Sequence, residues 1–151
     1  ALLTREDEVA IAKRIERGRR RLHKAHSRSL IVAEALEDLA QRLAERKLGI
    51  RAVIDTSDSD AEDITLENEE RYLAETIEKF QLVSKMLAHI RKEVAKVEQE
   101  PKGARKTNRM IRKVLRQRVE LSRHIRVILF STQMRREFTN RIQKVVRSLF
   151  E

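Results

Sequence analysis

The chain has 151 residues, with 34 lysines and arginines against 24 aspartates and glutamates, for a formal charge of +10. Three glycines and one proline exclude collagen-like, linker-like and turn-rich all-β architectures, and 40% apolar residues suit a helical bundle with a thin core. The absence of cysteine excludes a disulfide framework, a thiolate zinc site and a cysteine nucleophile, and accords with a reducing cytoplasm.

In chain order, the first helix is predicted to begin after Thr4, an N-cap residue with Asp7 three positions on as an acidic capping-box partner. Val9, Ala12 and Ile15 keep an apolar stripe at helical spacing. Gly18, followed by Arg19, Arg20 and Arg21, is either a C-cap or a weak point within a longer helix. A second helix is expected over 29–47, with Leu30, Ala33, Leu36, Ala40, Leu43 and Ala44 on one face and Gly49 as its stop. Residues 50–54 are too short to assign. The acidic loop 55–65 repels itself and reads as mobile.

A third helix is expected over 66–98. Its apolar residues Leu73, Ile77, Phe80, Leu87, Val94 and Val97, with Val83 and Ile90 beside them, form a coiled-coil-like seam. Pro101 and Gly103 lie in the break that ends it. The fourth helix, 104–129, places Met110, Val114, Leu121, Ile125, Ile128 and Leu129 on one face. Arg105, Arg109, Arg112, Arg116 and Arg123 fall within about 60° of one another on the opposite side. A fifth helix follows a cap at Ser131 or Thr132, with Met134, Phe138, Ile142, Val145 and Leu149 on a stripe. The fold expected is all-α: a bundle of about five amphipathic helices, mostly antiparallel, with an acidic mobile loop.

Charge is distributed unevenly. Residues 55–70 hold eight acidic side chains and no basic ones, whereas 101–151 hold fifteen basic and three acidic. Between Lys102 and Arg136 only Glu120 is acidic. Guanidinium groups repeated along one face suit phosphate oxygens, so an anionic partner is expected, with the acidic stretch masking the basic face or reaching out to another partner. The aromatic residues other than Tyr72 sit on or near apolar stripes, so contact with a duplex backbone is expected rather than base stacking.

No catalytic constellation is present, and an enzyme, a cofactor and a small-molecule substrate are not expected. His23, His26, His89 and His124 read as exposed histidines rather than metal ligands. Asp58, Asp60, Glu62 and Asp63 lack the glycine turn of a calcium loop. The apolar run 127–130 is far too short to cross a membrane, and no secretory signal precedes it.

The run Leu2, Leu3, Thr4, Arg5, Glu6, continued by Ala12, Lys13, Arg14, Ile15, Glu16 and Gly18, closely resembles the second half of region 1.2 of bacterial primary (housekeeping) sigma factors. Residues 112–146, particularly 119–122 and 130–136, resemble the helical non-conserved region inserted after it. The resemblance implies two parts: the end of the region 1.2 helix over 1–28, and the helical non-conserved region over 29–151. It further implies a cytoplasmic, bacterial role in transcription initiation. The implied partners are core RNA polymerase, through its β′ subunit, and promoter DNA near the −10 element, mainly through phosphates. Arg14 and Arg17 then join Arg105, Arg109, Arg112 and Arg116 as the expected DNA-binding residues. The aromatic-rich core-binding block and the helix-turn-helix of the family are not in this sequence, and it opens on Ala1, so it reads as an excised piece. The alternative reading is a free-standing helical adaptor whose 73–97 seam binds another helix; a small basic architectural DNA-binding protein is a third.

Overall fold

The computed structural model describes residues 2–56 and 66–150. Most of the predicted acidic loop, including Asp58, Asp60, Glu62 and Asp63, lies outside the described residues, and so does the masking expected of it. Among the described residues six helices are formed: α1 (Arg5–Arg28), α2 (Leu30–Ala44), α3 (Ile50–Val53), α4 (Leu66–Glu98), α5 (Arg105–Arg126) and α6 (Thr132–Ser148). Among the described residues none is long and apolar enough to cross a membrane.

The predicted capping box starts α1. Thr4 Oγ1 accepts from the Asp7 N–H at 3.2 Å, and Asp7 Oδ2 accepts from the Thr4 N–H at 3.2 Å. The Thr4 hydroxyl, which donates to Asp7 Oδ2 at 2.8 Å, and then the Thr4 N–H hold the Asp7 carboxyl below its usual range. The helix passes through Gly18 without a break and ends at Arg28, so the glycine is no cap. The stop expected for α2 at Gly49 falls instead at Arg46, whose φ of 58° is left-handed. There the Lys47 N–H donates to the Arg42 carbonyl and the Arg46 N–H to the Leu43 carbonyl, a Schellman closure built without glycine. The Arg46 guanidinium meets the Glu70 carboxylate with two bonds of 2.6 and 2.8 Å, which ties this corner to α4.

α4 forms over the predicted 66–98 and is the central element. It packs antiparallel to α2, with Arg46 on Glu70 and Arg91 on Glu34, and antiparallel to α5, with Lys113 on Glu93. Leu73, Phe80, Val83, Leu87 and Ile90 are buried between these neighbours and α2 residues Val32, Leu36, Leu39 and Leu43. The apolar seam that the adaptor reading leaves open to another helix is therefore mostly closed inside the bundle. Gly103 turns the α4–α5 corner at φ 81°, and Thr107 locks it by donating to the Pro101 carbonyl at 2.7 Å.

The 50–54 segment resolves into the single turn α3 and an isolated antiparallel bridge between Ile54 and Phe130. Asp55 N–H donates to the Leu129 carbonyl, Ser131 N–H to that of Val53, and Ser131 Oγ to that of Ala52. These bonds fix the entry of α6, whose first turn Ser131 also caps by accepting from the Met134 N–H. Phe80, Phe130 and Phe138 then stack edge and face beneath it, Phe130 and Phe138 at 4.9 Å and 90°.

Several apolar positions read as core are on the surface. α5 ends at Arg126 rather than 129, because the chain turns there to meet α3, and Leu129 faces solvent while its carbonyl makes the link to Asp55. Ala44, Val145, Leu149 and Phe150 are exposed near the ends of α2 and α6, beyond the reach of a covering element. Val9, Ala12 and Ile15 are exposed as well.

Candidate nucleic-acid interface

α5 carries the two faces expected of it. Val114, Leu121, Ile125 and, just beyond the helix, Ile128 are buried against the bundle. Arg105, Arg109, Arg112, Arg116 and Arg123 are all exposed on the opposite side. From Arg105 to Arg123 the ridge runs about 27 Å at 1.5 Å per residue, comparable to a large part of one turn of duplex DNA.

Which basic groups are neutralised follows from where they sit around the helix. Lys106 and Lys113 lean toward α4 and pair with Glu100 at 2.6 Å and Glu93 at 3.1 Å. Glu93 is buried, and its bonds from Lys96 and Lys113 hold its carboxyl below the usual range. Arg105, Arg109, Arg112 and Arg116 point away from α4 and have no carboxylate partner among the described residues. Arg123 alone of the ridge has one, Glu120 at 3.7 Å, with both side chains exposed. Exposed pairs of that kind are weak and readily exchanged. The arrangement is a row of four unneutralised guanidinium groups flanked by lysines already engaged.

Arg14 and Arg17 lie apart from the ridge, on α1. Every residue from 2 to 22 is exposed, so the first turns of α1 stand clear of the bundle as an arm. Arg17 Nε donates to the Lys13 carbonyl at 3.3 Å, and Arg14 is open to solvent. Ile11, Ile15 and Leu22 lie on one side of the arm and are 43, 52 and 40% exposed.

The root of the arm is a pair of histidines that sequence reading placed on the surface. His23 Nε2 lies 2.7 Å from the Arg126 carbonyl, so that nitrogen carries the proton and satisfies a carbonyl at the end of α5. His26 is only 2% exposed, lies edge-on to Phe138 at 5.8 Å, and meets Thr139 Oγ1 through Nε2 at 3.0 Å. Thr139 donates its own proton to the Arg135 carbonyl, so His26 Nε2 is the donor and its buried Nδ1 keeps a bare lone pair. Burial, and then the charges of His23 and Arg135, push the His26 pKa down. The two Nε2 atoms bind different partners, and among the described residues no group of three His, Asp or Glu side chains could hold a metal ion. No local signal marks His26, because its partner Thr139 is 113 positions away.

Among the aromatic residues, Tyr72 is half exposed as expected, but Phe150 is 87% exposed rather than on a buried stripe. Neither belongs to the ridge.

Residues 1–21 match the family model of sigma-70 factor, region 1.2. The match takes in the capped start and the exposed arm of α1, and supports a sigma-factor-related role in transcription initiation, with association with RNA polymerase in general. No solved structure matches the chain.

Proposed function

We propose that the chain is a piece of a primary sigma factor, a non-catalytic bacterial cytoplasmic protein that joins core RNA polymerase through β′ and holds promoter DNA near the −10 element by its phosphates. The observation that carries this reading is the coincidence of the region 1.2 match with the exposed N-terminal part of α1. A helix with Ile11, Ile15 and Leu22 uncovered gains by burying them on a partner. The bundle behind it presents the four unneutralised arginines of α5, which offer charge without base readout: affinity should be salt-sensitive and indifferent to sequence. No catalytic group, cofactor or small-molecule substrate enters this reading.

Binding of the labelled 151-residue chain to purified bacterial core RNA polymerase, followed by fluorescence anisotropy, tests it. Saturable binding is expected, weakened about tenfold or more by Ile11→Asp with Ile15→Asp. Both positions are exposed, so the helical circular dichroism should survive. A folded chain that does not bind core polymerase would overturn the reading.

A further inference from the structure

Between the root of the arm and the start of α6 lies an open cleft of about 300 Å³. Arg19 enters it from α1, and Arg135, Arg136, Thr132, Thr139 and Asn140 line it from α6. Arg135 is held in place by donating to Thr132 Oγ1 at 3.0 Å. The acids closest in sequence are spoken for, Glu16 by Arg20 and Glu137 by Arg141, and the first turn of α6 contains none. Three guanidinium groups therefore face one cleft with no carboxylate among its described lining residues.

We infer that this cleft is a binding site for a phosphate-bearing anion, which bridges α1 to α6. Like charges on the two elements repel across the gap, and an anion between them replaces repulsion with charge-assisted hydrogen bonds. Arginine forks suit phosphate oxygens, and Thr132 and Asn140 add neutral donors at the rim. Filling the cleft fixes the arm at its root, so the ligand sets the direction in which residues 2–18 project. The site is separate from the α5 ridge and does not depend on the sigma-factor reading. The chemistry is shared by a DNA backbone phosphate and a free phosphate ester.

Inorganic pyrophosphate titrated calorimetrically into the 151-residue chain at low salt is the test. A tightest site is expected, weakened about tenfold or more by Arg19→Gln with Arg136→Gln, whereas Gln at Arg105, Arg109, Arg112 and Arg116 removes only the weaker binding on the α5 ridge. The exchanged cleft residues are exposed, and circular dichroism checks the fold. Undiminished binding in the cleft variant, or equal loss in the ridge variant, overturns the site. Two further titrations of the cleft variant identify the source. A duplex salt slope reduced by about one assigns the phosphate to DNA, and loss of nucleoside triphosphate binding alone assigns it to a free ester. If neither changes, the inference is overturned.

Discussion

His26 shows how one side chain joins two elements and the turn between α5 and α6. It belongs to α1, bonds to Thr139 of α6, and packs on Phe138 beside Phe130. Its ring is neutral in the fold, with Nδ1 unpartnered, and protonation would put a buried charge beside His23 and Arg135 with no acid in contact. The sign follows from linkage. The folded pKa lies below the ordinary 6.5, so the unfolded chain takes up the proton first as pH falls. Stability from the neutral ring is whole above about pH 7 and is lost as pH drops through the mid-sixes toward the lower folded value. Urea unfolding at a series of pH values should show this decline, and His26→Gln should flatten it. An equal slope in the variant would remove His26 from the account. The decline separates from that of Glu93, whose lowered pKa keeps its ion pairs intact until pH falls below the ordinary carboxylate range.

At the scale of the element, legibility tracked local chemistry. The bounds of α4 were readable because an apolar stripe fills it from end to end and Pro101 follows. The start of α1 was readable because a capping box needs only four residues. The end of α2 was not: glycine is the usual left-handed residue, and Arg46 takes that conformation where Glu70 of a distant helix anchors its side chain. Nor was the exposure of Val9, Ala12 and Ile15, since a stripe shows which face is apolar and not whether anything covers it. The arm offers a direct check. Replacing Thr4 by Ala removes the cap and should cost about 1 kcal/mol of local helix stability. Because the first turns of α1 are exposed throughout, that loss should appear as faster amide exchange in the first turn, with an unchanged melting temperature. A melting temperature that falls in step would show that the arm is packed.

Across the whole molecule, the fold sorts an excess of positive charge into engaged and open groups. The face of α5 that meets α4 neutralises its lysines, and the acidic Glu70 is taken by Arg46. Among the groups left open is the row Arg105, Arg109, Arg112 and Arg116, whose shared face was legible from spacing alone. Their freedom from partners was not, because pairing depends on which helices become neighbours. We propose that this row meets duplex phosphates. A salt titration of duplex DNA binding compares the chain with its variant carrying Gln at those four positions. Weaker binding is expected, with a log–log slope reduced by up to about 3.6 units, about 0.9 for each of four phosphates that is no longer neutralised. An unchanged slope would contradict it and return the ridge to ordinary bundle surface.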